Sequence, residues 1–308
     1  MLGTITVMDW DGNDVDSPSG NDNDEVRILI SHKRTLSTQY DRPYRLRGFV
    51  RQNETWGPRP VQEVPVKKEI HSRIGGLLET DVVAKKRIAI FGMGSGGSPI
   101  AIELSKAGGR IFYIMDHDRL EVCNVGRHVA GISHVGRYKT RSIRDLIKEK
   151  NPYAVVQTWE EAVSWDNIDT VANIIQQADI VICAVDHRPA KLIINRICVE
   201  KNTPCIFAGA FRRAYGGQIL FFKPNQTLCY QCFLMLLPEQ ANDQEIANRQ
   251  LAEGLAYTDQ PVAIEPGLSN DIAPISQMVT KLVIQALLKD THSTLSSLDE
   301  DLVAPWYL

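Results

Sequence analysis

The chain lacks the features that would mark a membrane, secreted or nucleic-acid-coating protein. No apolar run reaches the roughly 18 residues that a membrane span requires. Its start, Met1-Leu2-Gly3-Thr4, has neither the basic residues nor the apolar stretch of a secretory signal, so the expected compartment is the cytosol. Cysteine is scarce, with six in 308 residues. Four of these, Cys123, Cys183, Cys198 and Cys205, are scattered through stretches patterned as regular structure and read as reduced thiols rather than a disulfide framework. Charge of one sign is also missing: 34 Lys and Arg against 37 Asp and Glu leave a net charge of -3. The surface therefore lacks the field that draws nucleic acid or anionic lipid, and neither is an expected partner. What is present is ordinary. The chain is 44% hydrophobic and 23% charged, which excludes wholesale disorder, collagen and coiled coil. Its length suggests about two domains, or one large α/β unit with an appendage.

Residues 1 to 69 form an N-terminal accessory segment. The acidic, turn-rich run from Asp9 to Asp24 has no side chains with which to build a core, so residues 1 to 24 are expected to be a loop. Glu25 to Ser31 reads as a strand. Pro43, Pro58, Pro60 and Pro65 then interrupt any sustained period, and only a small β-containing segment is predicted. From Lys86 the pattern changes. Short β-rich runs (Arg87 to Phe91, Arg110 to Met115, Ala154 to Thr158, Ile180 to Ala184, Pro204 to Ala208) alternate with helical runs (Ser98 to Ala107, Tyr138 to Lys150, Thr170 to Gln177, Pro189 to Lys201). Such alternation specifies a Rossmann-like, doubly wound α/β fold with a mainly parallel sheet. A further strand at Gly217 to Phe222 is read as a C-terminal antiparallel addition. It is followed by a polar stretch with a short helix at 239 to 263 and a long amphipathic helix, Ile272 to Lys289.

Between the first strand and first helix of this unit lies Gly92-Met93-Gly94-Ser95-Gly96-Gly97, a G-x-G-x-x-G at the place where the motif has a mechanism. Backbone N–H groups there can approach a phosphate, and the helix start adds positive potential. The next strand ends in Asp116, 19 residues beyond Gly97, where a carboxylate can take ribose hydroxyls. These features alone permit an NAD-dependent oxidoreductase. Asp118, Asn124, Arg127 and Lys139 follow, however, and a hydride-transfer site has no need of cations beside its phosphates. Cleavage between α- and β-phosphates does, because negative charge accumulates on the leaving pyrophosphate. Asp186 ends another strand, at the edge where such sheets bind ligands, and suits Mg²⁺; the alternative is a helix N-cap.

In order and spacing, Gly92-x-Gly94-x-x-Gly97, Asp116-x-Asp118, Asn124-x-x-Arg127, Lys139, Asp186 and Cys229-Tyr230-Gln231-Cys232 resemble the ThiF/MoeB/ubiquitin-activating (E1-like) superfamily over about Ile70 to Lys289. The resemblance implies a domain at 70 to 308 that adenylates the C-terminal glycine carboxylate of a ubiquitin-like protein. ATP and Mg²⁺ would be its cofactors, with a homodimer or pseudo-symmetric heterodimer as the assembly and a conjugating enzyme as a further partner. It implies that Asp116 binds ribose, that Asn124, Arg127 and Lys139 handle phosphates, and that Asp186 holds Mg²⁺. Arg73 takes the position of an arginine that relatives send into a partner subunit's site. The stretches Asn124 to His128 and Ala210 to Gly217 look most like bacterial members from ubiquitin-like modification operons.

Two departures qualify the likeness. Relatives hold structural Zn²⁺ with two C-x-x-C pairs, whereas Cys229 and Cys232 form one pair and no cysteine follows. Either His292 or another residue supplements them, or the metal is lost, or the natural chain continues past the apolar Trp306-Tyr307-Leu308. Thioester-forming relatives also carry a cysteine nucleophile after the C-x-x-C, and residues 233 to 267 contain none. Cys123 is the one thiol near the nucleotide motifs, and its ordinary role would be that of a packed cysteine; Cys183, Cys198 and Cys205 read as core. The stretch 239 to 268 is expected to close over an extended substrate tail. A non-catalytic nucleotide-binding scaffold remains the third reading.

Overall fold

A computed structural model describes residues 5–9, 26–31, 45–52, 55–61, 70–211, 214, 216–237, 267–293, 295 and 306–307. The chain divides into two compact units, Met1–Glu69 and Ile70–Leu308. The first is a four-stranded sheet of β1 (Ile5–Asp9), β2 (Val26–Ser31), β3 (Arg45–Gln52) and β4 (Thr55–Arg59), in that order. β1 runs parallel to β2, and the remaining pairs are antiparallel. This corrects the expectation of a loop for residues 1 to 24 as far as Ile5–Asp9 is concerned. That segment gains its hydrogen bonds from β2, a pairing that a local reading of composition does not contain. Leu29 and Phe49 are buried.

The second unit is built on a seven-stranded sheet in the order β11-β10-β9-β8-β5-β6-β7. Its strands are β5 (Arg87–Phe91), β6 (Ile111–Met115), β7 (Val155–Trp159), β8 (Ile180–Cys183), β9 (Cys205–Ala210), β10 (Gly217–Phe222) and β11 (Trp306–Tyr307). β9, β8, β5, β6 and β7 run parallel; β10 and β11 are antiparallel additions at one edge. The helices are α1 (Thr80–Val83), α2 (Gly97–Lys106), α3 (Lys139–Lys150), α4 (Ile168–Gln177), α5 (Arg188–Lys201), α6 (Tyr230–Leu236) and α7 (Ser269–Leu288).

Both faces of the sheet's central strands are buried, as side-chain alternation along a covered parallel sheet requires. Ile88 and Ile90 of β5, Ile114 of β6 and Ile182 of β8 pack with α2, α3 and α7 through Leu104, Ile143, Ile147 and Val283. The intervening Ala89, Phe91, Met115 and Cys183 pack with α4, α5 and α6 through Ile175, Ile194 and Tyr230. The buried Cys183, Cys198 and Cys205 are core thiols, as their sequence surroundings predicted.

Strand order locates the functional end. From β5 the chain moves outward to β6 and β7, then returns to the opposite side of β5 for β8 and β9. At such a reversal, the loops leaving the carboxyl ends of adjacent strands diverge and open a crevice. Three of the predicted motifs follow the carboxyl ends of the strands there: Gly92 after β5, Asp116 after β6 and Asp186 after β8.

Candidate functional site

The loop after β5 is shaped by close backbone approaches. Gly92 has φ of +92°, and a Cβ on it would lie 2.7 Å from the Ala184 carbonyl oxygen at the end of β8. A Cβ on Gly97, at the start of α2, would collide with the Gly92 carbonyl oxygen. Gly94 and Gly96 differ, because a Cβ on either would meet nothing within 4 Å. The loop thus has a tightly packed underside at Gly92 and Gly97 and open space at Gly94 and Gly96. That shape suits a phosphate chain drawn close to the backbone. The loop is fastened by Gly92 N–H to the Met115 carbonyl at 2.9 Å, Ser98 N–H to the Gly94 carbonyl at 3.0 Å, and Ser276 Oγ of α7 to the Gly96 carbonyl at 3.0 Å.

Asp116 holds the loop from the side. Its Oδ2 accepts the Met93 N–H at 2.5 Å, and its Oδ1 accepts the Asp118 N–H at 2.8 Å. Asp118 in turn accepts a hydrogen bond from Lys139 Nζ through Oδ2 at 2.7 Å, while the Lys139 N–H donates to the Asp118 carbonyl at 2.9 Å. Lys139 begins α3. The preceding turn is tied back to the Asp118 segment by an Arg119–Tyr138 bridge, with the Arg119 guanidinium 3.9 Å over the Tyr138 ring. Burial pushes the Asp116 carboxyl above its ordinary value, against the opposing Met93 and Asp118 N–H groups and the Lys139 charge. Asp116, Asp118 and Lys139, separated in sequence, form one network with the glycine loop.

His128 completes this network. Its Nδ1 accepts the Ala130 N–H at 3.0 Å, so the ring proton sits on Nε2 and is donated to the Met93 carbonyl at 2.7 Å. The Met93 peptide is therefore gripped at both ends, N–H by Asp116 and C=O by His128, with its side chain buried. Burial holds His128 below its ordinary 6.5, against the Met93 bond and with the Lys139 and His134 charges assisting. Sequence reading included His128 only as part of a family-like motif. Its role spans 35 residues of chain and has no local signal.

Other predicted residues lie around this centre. Asn124 ends a short 3-10 turn, where its Oδ1 accepts the Glu121 N–H at 3.0 Å, and Arg127 follows, half-buried. Cys123 is exposed rather than packed, because that turn presents it outward with its thiol toward Glu121 Oε2 at 3.3 Å. Arg73 is exposed in the turn before α1. Asp186 is exposed beyond β8 and is not the N-cap of α5; that position belongs to His187, because the helix starts one residue later than an Asp186 cap requires. The stretch expected to close over a substrate, 239 to 268, lies outside the described residues up to 266.

Carboxylate oxygens at the crevice, with Asp186 exposed, are hard ligands of the kind that Mg²⁺ takes. For zinc, the described residues supply the cysteine pair alone. Among the described residues, the one group of three or more converging His, Cys, Asp or Glu ligand atoms is Asp116, His117 and Asp118, and neither Cys229, Cys232 nor His292 joins it. A closed zinc site needs four ligands.

A doubly wound sheet with a phosphate-cradling loop and an acidic residue ending the next strand defines a Rossmann-type α/β protein. The chain belongs to the ThiF family, whose pattern matches residues 67–299. It is similar to ubiquitin-like modifier-activating enzyme 5 of Caenorhabditis elegans, 26% identical over 185 residues, covering 58% of this chain and 44% of that protein. It is also similar to the adenylyltransferase and sulfurtransferase UBA4 of Candida albicans, 31% identical over 160 residues, covering 51% and 36%. The chain spans less than half the length of either relative. Among solved structures, E. coli MccB with ATP aligns at a TM-score of 0.55 and 20% identity, over 70% of this chain and 60% of that one. PaaA aligns at 0.58 and 18%, over 80% and 81%. These two likenesses show the fold.

The packing contrast within the loop yields a prediction. Gly94→Ala meets no protein atom and should leave the unfolding temperature unchanged while weakening ATP binding. Gly97→Ala should lower both, with about 1–3 kcal/mol of overpacking. Thermal unfolding and ATP titration of the two variants check this, and normal ATP binding by Gly94→Ala would remove the cradle. A second prediction concerns His128. Its folded value lies below 6.5, so the unfolded chain takes up a proton first as pH falls. Its contribution to stability is full above about 6.5 and is lost as pH drops toward the folded value. His128→Gln, which offers a donor and an acceptor without titrating, should hold stability at neutral pH and flatten the acid-side decline. His128→Ala should cost about 1–3 kcal/mol by leaving the Met93 carbonyl and Ala130 N–H unpaired. A Gln variant as unstable as Ala, or with the wild-type acid slope, would contradict the grip.

Proposed function

We propose that this protein adenylates a carboxylate with ATP, and that the carboxylate is the C-terminal one of a ubiquitin-like or other small protein or peptide. The observation that carries the reading is the network in which a glycine loop, an acidic residue ending the next strand and a nearly buried lysine meet at one strand-order reversal. Similarity to ubiquitin-like modifier-activating enzyme 5 and to the adenylyltransferase UBA4 supports the reaction class.

In this reading the carboxylate oxygen attacks the α-phosphorus of ATP in line, an acyl–O–P bond forms, and the Pα–O bond to pyrophosphate breaks. Asp116 commits one lone pair of each oxygen to backbone N–H groups and keeps others for ribose hydroxyls. The open face at Gly94 and Gly96 receives the phosphates. Lys139 spends one of its three protons on Asp118 and directs positive charge toward the developing pyrophosphate, joined by Arg127 and Asn124. Asp186 would hold Mg²⁺, which neutralises the triphosphate. Arg73, outside this network, acts on the site of a second copy in a homodimer. A conjugating enzyme would take the product onward. The working compartment is the cytosol, and residues 1–69 and 70–308 serve as accessory and adenylation domains.

ATP–pyrophosphate exchange tests this. Arg127→Ala and Lys139→Ala should each lower exchange by about 10² to 10³, roughly 3 to 4 kcal/mol at the transition state. Asp186→Asn, nearly isosteric, should keep the unfolding temperature and lose most of the exchange. An Asn variant with wild-type exchange and Mg²⁺ dependence would take Asp186 out of the reaction, and losses below about threefold would do the same for the two cations.

A further inference from the structure

The peptide between Gly96 and Gly97 has a glycine on each side, so neither flank carries a Cβ to resist its rotation. Gly96 is the N-cap of α2 and brings no side chain to cap it. Its carbonyl follows the helix direction. The Gly97 N–H, trans to that carbonyl across the planar peptide, points the opposite way, out of the helix N-terminus. A flip of this one peptide would exchange the two. The donor would turn away, and an oxygen that repels a phosphate would take its place.

What opposes the flip comes from a distant helix. Ser276 Oγ of α7 donates to the Gly96 carbonyl at 3.0 Å, across 180 residues of chain. A hydroxyl has one proton to give. The other acceptor in reach, the Ile272 carbonyl one turn back on α7, is farther away at 3.5 Å, so the bond to Gly96 is the one made. Ser276 is buried, and its helix is firmly seated. Ile275 lies so close to Gly217 of β10 that a Cβ there would collide with it, and Val279, Leu282 and Val283 are buried in the core.

We propose that Ser276 is a positioning residue for ATP: by holding the Gly96 carbonyl toward α7, it keeps the Gly97 N–H aimed at the phosphate chain. It acts through the loop and not by contact with the reacting atoms. The identity of the nucleotide rests on the adenylation reading, whereas the hold on the peptide does not. His128 does for the Met93 carbonyl, and so for the Gly94 N–H, what Ser276 does for Gly96 and Gly97. The aligned Gly97 donor meets the phosphates in the ground state and the transition state alike, so its loss falls on ATP affinity rather than on turnover.

The test compares Ser276→Ala, Ser276→Thr and Thr280→Val in the full chain. Deuterium uptake of residues 92–98 is followed by mass spectrometry without nucleotide, ATP with Mg²⁺ is titrated by calorimetry, and ATP–pyrophosphate exchange supplies KM and kcat. Ser276→Ala should take up deuterium in the loop about three- to tenfold faster and bind ATP about three- to tenfold more weakly, as the loss of one ordinary hydrogen bond implies. KM for ATP should rise with it while kcat stays within about twofold. Ser276→Thr keeps the donor and should restore both loop and affinity. Thr280→Val removes a hydroxyl bond to the Ser276 carbonyl, within α7 alone, and should lower the unfolding temperature while leaving loop and affinity unchanged. Wild-type uptake and affinity in Ser276→Ala would overturn the proposal. So would equal losses in Thr280→Val, which would make the effect one of helix stability, or a threonine variant no better than alanine at an unchanged unfolding temperature. Should the wild-type chain bind no ATP, the adenylation reading fails, and loop uptake in the nucleotide-free protein still decides whether Ser276 holds the peptide. If Ser276→Ala does not fold, Ser276→Cys, close in size and a weaker donor, replaces it with the same expected direction.

Discussion

The hydrogen bond from the Met93 N–H to Asp116 is the constraint on which the nucleotide end of the molecule depends. Four of the six residues Gly92 to Gly97 are glycines, and fixing each backbone costs about 1–2 kcal/mol. A bond to a charged acceptor returns about 1.5–3 kcal/mol and a neutral one about 0.5–1.5. The Asp116 bond, the His128 bond to the Met93 carbonyl and the Ser276 bond to the Gly96 carbonyl are together of the same order as that cost. The other strand ends are arranged about it: Ala184 packs beneath Gly92, and Asp118 links Asp116 to Lys139.

This arrangement works against stability. Asp116 is raised in the folded state, so the fold binds more protons than the unfolded chain between 3.8 and the raised value. Its contribution is present at acid pH and is lost as pH rises through the folded value. A partly buried carboxyl raised in this way, beside a glycine loop in a crevice, is the kind of group found at functional sites. His128 behaves oppositely, neutral and best tolerated above its ordinary value. The two groups that grip one peptide therefore respond to acid with opposite signs.

Much of the architecture was legible because parallel strands buried on both faces read as short continuous apolar runs. Arg87–Phe91 and Gly217–Phe222 match their predicted spans, and the other predicted boundaries that fall on described residues move by at most two residues, except that the last helix begins at Ser269, three residues before the predicted Ile272. Ile5–Asp9 was missed because its partner strand, and not its own composition, makes it a strand. The glycine loop and Asp116 were legible because their spacing is local to one strand-loop-helix-strand passage. His128 was not, since its significance lies in a carbonyl 35 residues away. Cys123 was misjudged for a related reason: it is turned outward by a 3-10 turn that sequence patterning does not reveal.

The central claim is that the gripped loop and the cations beyond it serve a triphosphate rather than a dinucleotide. Calorimetric titration of the reduced protein with ATP and with NAD, each with Mg²⁺, tests it most directly. The account predicts saturable ATP binding tighter than that of NAD and weakened on withdrawal of Mg²⁺. NAD bound more tightly than ATP, with no response to Mg²⁺, would contradict it.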